Sequence, residues 1–153
     1  MIQRLLPFLT LIALFIGLSV ASPNFLTNTN LSSVVRQTAV INIMALGMTL
    51  IIISGGIDLS VGAILAMAGL LGTMSMEKGQ PIAIGIIAGL LTGSFWGFIN
   101  GLLTTRLRIN PFIVTLGTLG IIRGLTLIAS NGLPVHQIPK GFQFLGEGNV
   151  LGV

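Results

Sequence analysis

The sequence predicts an all-α, polytopic membrane bundle of about five spans, with a glycine-rich helix break between spans two and three. Three observations predict it: 7% of the residues are charged, the mean hydropathy is +1.04, and long apolar runs alternate with short turns. A soluble domain carries about a quarter charged residues. Seven basic and three acidic side chains among 153 residues cannot cover a water-facing surface, so most side chains must face lipid or protein.

A helix that crosses the hydrocarbon layer needs about 20 apolar residues. Five runs meet or approach that length: Leu5–Ala21, Thr38–Ser54, Leu59–Met76, Pro81–Leu107 and Pro111–Ser130. The turns between them carry expected punctuation, such as Ser22-Pro23-Asn24, Gly55-Gly56 and Asn110-Pro111. Pro81 and Pro111 open helices, where the missing N–H is harmless. The Asn-, Ser- and Thr-rich segment Phe25–Gln37 reads as a surface loop or short interfacial helix. Arg4, the first apolar run and Ser19-Val20-Ala21 also resemble a cleavable secretory signal. The length of that run and the four spans behind it favour an uncleaved first span. The chain is expected to form one membrane domain over residues 1–153.

Charge sets orientation weakly. With the N-terminus inside, Arg4, Arg106 and Arg108 are cytoplasmic, while Arg36, Lys78 and Lys140 face out. The Arg106/Arg108 pair tips the reading towards an N-terminus inside, which puts residues 131–153 outside. A sequence pI near 11.4 rests on seven scattered cations, a pattern of loop anchors and not of a phosphate-tracking patch; no nucleic-acid partner is expected. There is no cysteine, and His136 stands alone without a second His or an acidic cluster. No metal site and no nucleophile–base constellation is expected, so no enzyme is read here.

Glycines at 85, 89, 93, 97 and 101 form an unbroken four-residue ladder in span four. Each costs about 1 kcal/mol against alanine in an ordinary helix. In lipid, small-residue stripes let helix backbones approach closely, so Gly85, Gly89, Gly93, Gly97 and Gly101 read as helix-packing residues. Span three offers a matching face at Gly62, Ala66, Gly69 and Thr73, and span five adds Gly117, Gly120 and Gly124.

Between spans two and three runs Ser54-Gly55-Gly56-Ile57-Asp58-Leu59-Ser60-Val61-Gly62. Gly55 and Gly56 end one helix, and Asp58 stands where a carboxylate caps the next. The same segment admits a second role, because transporters place broken helices at substrate sites. It is no P-loop, since GxxxxGK[ST] is absent. Arg123 lies two-thirds along span five, too deep to face lipid, and Asn42 and Asn100 suit hydrogen bonds across helices. Asp58 is the acid within the apolar framework, which makes it a candidate partner for Arg123. Arg123 lies about 18 Å along span five from its inner end, so that pair requires residues 55–58 to re-enter the bundle.

The run Gln37–Leu50, followed by Ile51–Gly62 with its Gly55-Gly56-Ile57-Asp58-Leu59-Ser60-Val61-Gly62, resembles the permease subunits of ribose-type ABC sugar importers. Ser22-Pro23-Asn24-Phe25, Thr115-Leu116-Gly117-Thr118-Leu119-Gly120-Ile121-Ile122-Arg123-Gly124 and Asn131-Gly132 extend the likeness over nearly the whole chain. The resemblance implies a bacterial cytoplasmic-membrane subunit with its N-terminus inside. Its implied partners are a second permease (homo- or heterodimer), a cytoplasmic ABC ATPase, an extracytoplasmic sugar-binding protein and membrane lipid. No cofactor is implied, because ATP is used by the separate ATPase. The implied mechanism is alternating access for a monosaccharide, with Asn42, Thr49, Gly55, Gly56, Asp58, Ser60, Trp96, Asn100 and Arg123 as substrate-path or gating candidates. The chain reaches Leu151-Gly152-Val153 about halfway along such a permease, which reads as an N-terminal half. Two other readings stand beside it: half of an unrelated membrane transporter, and a permease remnant that does not transport.

Overall fold

The structure, a computed structural model, describes the backbone of residues 2–147 and the side chains of residues 5–146. The Arg4 side chain used for orientation, and the stretch Leu151–Val153, lie outside those described residues. Each described element is a helix: α1 (Ile2–Ala21), α2 (Asn28–Ile53), α3 (Val61–Glu77), α4 (Ile82–Thr105), α5 (Pro111–Ser130) and α6 (Lys140–Glu147). Helices α2, α4 and α5 are long and apolar enough to cross a membrane. Helix α3, with 17 residues, and the apolar stretch Leu5–Ala21 of α1 are shorter.

Two differences from the sequence reading concern boundaries. The segment expected as a surface loop or short interfacial helix before span two is helical from Asn28 onward and continuous with that span, which makes α2 26 residues long, about 39 Å. Its polar residues cap the helix and do not interrupt it. The Thr27 hydroxyl accepts from the Asn30 N–H (3.3 Å), and the Asn30 amide donates to the Phe25 carbonyl (2.7 Å). The second difference is α6, a short helix in the stretch after span five that apolar length alone does not reveal.

Contacts divide the chain into two compact units, one ending at Asn42 and the other running from Ile43. In the first, the Phe15 and Phe25 rings meet edge to face at 5.3 Å. In the second, α3 packs chiefly on α4, then on α5, and α4 packs on α5.

The α3–α4 contact is made by backbone. A Cβ added to Gly72 would lie 2.8 Å from the Gly85 carbonyl oxygen, and one added to Gly85 would lie 2.7 Å from that of Gly72. Gly89 approaches the Ala68 carbonyl in the same way, at 3.2 Å. The α3 face is therefore Ala68–Gly72–Met76 and not the expected Gly62–Ala66–Gly69–Thr73. About a quarter turn of the helix separates the two, and Met76 fills the end of the contact with 3% exposure. The ladder on α4 is also used unequally: at Gly97 and Gly101 nothing lies within 4 Å of an added Cβ, and the same holds for Gly117, Gly120 and Gly124 on α5.

Among the described residues the buried large apolar side chains are few, namely Met76, Val114 and Ile122, whereas residues such as Leu14, Leu46, Leu90 and Ile128 are more than 60% exposed. A soluble monomer rarely shows continuous apolar surface beyond a few hundred Å². Surfaces of this kind are solvated by lipid or covered by further protein.

Candidate functional site

The site begins where α2 stops. The Gly56 N–H donates to the Ile51 carbonyl and the Gly55 N–H to the Ile52 carbonyl, both at 3.0 Å. This is the paired closure of a helix end whose turn residue is left-handed, and Gly55 takes that position with φ +81°. Without a Cβ it does so freely; an L side chain there is strained by about 1–2 kcal/mol. A Cβ on Gly56 would press on the Ile51 Cγ2 at 3.3 Å, while the Pro111 Cβ at the start of α5 would stand at an ordinary 3.7 Å.

From this turn, residues 57–60 run alongside α4 and α5. The Thr115 hydroxyl has the Ile57 carbonyl at 3.2 Å and its own-helix Pro111 carbonyl at 2.8 Å. One oxygen of Asp58 accepts from both the Ser60 N–H (2.7 Å) and the Ser60 hydroxyl (2.6 Å). The Ser60 oxygen in turn accepts from the Asn100 amide at 2.8 Å. The Asn100 carbonyl accepts from the Thr118 hydroxyl at 2.7 Å. Thr115 and Thr118 stand about 6 and 10 Å along α5 from Pro111. The segment therefore rises beside α5 as it approaches α3.

Carboxylate, serine, asparagine and threonine thus form one continuous chain of hydrogen bonds that ties the pre-α3 segment to α4 and α5. Ser60 is fully buried, and Asn100 and Thr118 are 6% and 4% exposed. No buried side-chain polar atom among the described residues lacks a partner. Burial of this many polar groups is tolerated because each is satisfied. The carboxylate acts one step ahead of the expected cap. Ser60 occupies the N-cap position of α3, and Asp58 organises Ser60 instead of accepting from the first-turn N–H groups.

Two grooves flank the segment. The first, of about 320 Å³, is lined by Gly56, Asp58, Gly97, Asn100, Gly101 and Thr104 among others. The open end of the glycine ladder thus forms one wall, while the polar chain and Thr104 supply hydrogen-bonding groups. The second, of about 460 Å³, lies on the other side, with Leu59, Ala66, Leu119 and Arg123 in its lining.

Of the residues singled out from sequence, Gly55, Gly56, Asp58, Ser60 and Asn100 come together here. The others do not. Thr49 donates to the Ala45 carbonyl of its own helix at 2.7 Å. Trp96 meets the Phe95 ring edge-on at 5.5 Å. Asn42 is exposed and forms no hydrogen bond across helices among the described residues.

Arg123 is exposed in the second groove, and the contemplated bridge to Asp58 is not made. Asp58 is turned into the opposite groove with one oxygen held by Ser60. The segment does enter the bundle, as the bridge required; local hydrogen bonds from the adjacent serine take the carboxylate first. Thr115 and Thr118 were missed by the sequence reading. Their signal was present, because they share a face of α5 with Val114 and Ile122, all four buried.

Comparison with known proteins decides the family. The family described as branched-chain amino acid transport system / permease component matches residues 30–143. The chain belongs to this family. It is 43% identical to the ribose import permease protein of Bacillus subtilis (strain 168) over 153 residues, covering 99% of the chain and 48% of that relative. Identity to the ribose import permease protein of Escherichia coli (strain K12) is 37%, over 99% of the chain and 47% of the relative. The L-arabinose ABC transporter permease protein of Azospirillum brasilense is 36% identical over 93% of the chain and 42% of its own length. The chain therefore spans about half the length of the curated relatives it matches. No solved structure matches it. Membership and the apolar helices together make it a multi-pass membrane protein from a family of transporter subunits.

Proposed function

We propose that the chain is the N-terminal half of a permease subunit in an ATP-driven, binding-protein-dependent importer of monosaccharides. It acts as one membrane domain in the bacterial cytoplasmic membrane, with its N-terminus inside. Its partners are a second permease subunit, a cytoplasmic ABC ATPase and an extracytoplasmic sugar-binding protein. ATP is consumed by the ATPase; this chain binds no cofactor or metal and forms no covalent intermediate.

The observation that carries the reading is the likeness to ribose import permeases across 99% of the chain. The geometry supports it through the Asp58–Ser60–Asn100 groove. Its volume of about 320 Å³ stands at the small end of the range of about 300–1,000 Å³ usual for small-molecule sites. Neutral sugars are recognised by hydrogen bonds. The groove offers a carboxylate oxygen beyond the one held by Ser60, the Thr104 hydroxyl and a glycine wall against which a sugar ring can lie. In an alternating-access cycle the segment 55–60 would move with α4 and α5, to which side-chain hydrogen bonds from Asn100 and Thr115 tie it.

The test replaces the matched half of the B. subtilis ribose import permease with this chain, in a strain lacking that permease. Uptake of labelled ribose, L-arabinose and D-allose is then measured. Uptake of any of the three that depends on ATP and the binding protein supports the reading. A chimera that inserts and folds but takes up none of them overturns it and leaves the non-transporting remnant.

A further inference from the structure

Arg123 stands twelve residues past Pro111, about 18 Å along α5, on an α5 edge next to the open face of Gly120 and Gly124. Its groove is walled on the α3 side by Gly62, Ala63 and Ala66, and on the α5 side by Leu119 and Leu127. Thr126 is the one other polar lining residue. A guanidinium at that depth must meet an anion, backbone carbonyls or water. A wall of small and branched apolar residues suits a packed helix and not a water-filled path. Among the described residues its guanidinium has no hydrogen-bond or ion-pair partner.

The acids whose side chains are described, Asp58 and Glu77, do not answer this need. Asp58 faces the other groove and holds Ser60. Glu77 ends α3, about 24 Å from the start of that helix, whereas Arg123 lies about 8 Å beyond Thr118, which is level with Ser60. The start of α6, at Gly141, lies against Ile82 at the start of α4. That is also the Glu77 end of the bundle. A parallel second copy therefore does not bring Glu77 to the level of Arg123. The relatives are about twice as long as this chain, so an assembled permease of this family holds as many residues again.

We propose that this groove receives a membrane-spanning helix from the second half of a full-length permease, and that this helix carries one carboxylate at the level of Arg123. The small residues admit its backbone, and the ion pair fixes its rotation and depth. The inference rests on family membership and on the spanning assignment of α5, not on which substrate is carried.

The test uses the same chimera with the second half of the B. subtilis permease. Arg123→Asp is expected to lower the yield of folded protein about tenfold, the size that polar contacts between spanning helices reach, with Arg123→Lys retaining most of it. Changing one membrane-embedded acid of the second half to Lys should restore the Asp variant. Restoration by Asp58→Lys instead, or by no single acid, overturns the proposal. Should the Asp variant leave nothing to measure, this chain alone is placed in phosphatidylcholine vesicles with a Leu–Ala host helix bearing one central Glu or Gln. Tighter association of the Glu helix that vanishes in Arg123→Gln supports the proposal. Equal association, or reaction of Leu119→Cys with a membrane-impermeant thiol reagent in the full chimera, overturns it. This chain contributes no cysteine to that last measurement, so the matching control is the same chimera without the Leu119→Cys change.

Discussion

At the Gly72–Gly85 end of the α3–α4 pair the two backbones touch, whereas at the Ser60–Asn100 end an amide and a hydroxyl stand between them. The glycine ladder on α4 runs through both ends with the same spacing. At one end it removes side chains so that helices can close; at the other, Gly97 and Gly101 remove them so that a groove stays open. A repeated residue type is therefore no guide to a repeated role. What differs is the neighbour, which at the first end is an α3 carbonyl and at the second is space beside a polar chain.

Substitutions can break this contrast. The largest effect is expected from Gly85→Val, because its Cβ meets the Gly72 carbonyl and Met76 and backbone does not yield as a side-chain tip does. Unfolding in mixed detergent should show a loss of about 3 kcal/mol, at the upper end of ordinary overpacking. Gly55→Ala comes next, with about 1–2 kcal/mol for a left-handed L residue, read by the same titration. An Asn100→Ala and Thr118→Val double-mutant cycle should give a coupling of about 0.6–1.7 kcal/mol, the range for hydrogen bonds between spanning helices. Coupling near zero would mean that each group finds another partner, as Thr118 can at the Val114 carbonyl 2.9 Å away. Gly101→Ala sharpens the contrast from the other side. With nothing near its Cβ, stability should hold or rise by up to about 1 kcal/mol, while uptake by the chimera falls if the groove carries sugar.

The second comparison, between the two grooves, concerns charge. Asp58 and Arg123 are the ionic residues that the sequence draws attention to within the apolar framework, and their pairing was the natural expectation. They lie instead on opposite sides of the segment before α3. The carboxylate is held within two residues of itself, while the guanidinium stays open. A neighbour in sequence is already close, whereas a partner on another helix must be brought to the same level and the same side.

Much of the architecture was legible without coordinates. Apolar runs separated by Pro and Gly placed α4 and α5 within two residues of their ends, and Asn110-Pro111 opens α5 with the asparagine oxygen accepting from the Phe112 N–H at 2.9 Å. The composition determined that the chain lies in a membrane, since so few charges cannot solvate a surface. Gly55 was readable as a helix end because a left-handed turn favours glycine whatever surrounds it. These are local or averaged properties, which the chain carries in any fold.

The tertiary structure decided the rest. It chose Ala68–Gly72 over Gly62–Ala66 as the packed face, since both stripes are small and only the crossing of α3 on α4 distinguishes them. It joined Ser60, Asn100 and Thr118, which are 40 and 18 residues apart in sequence, because buried polar groups must find partners wherever helices bring them. It left Arg123 open, because the side of α5 on which a residue falls is set by which face the neighbouring helices bury.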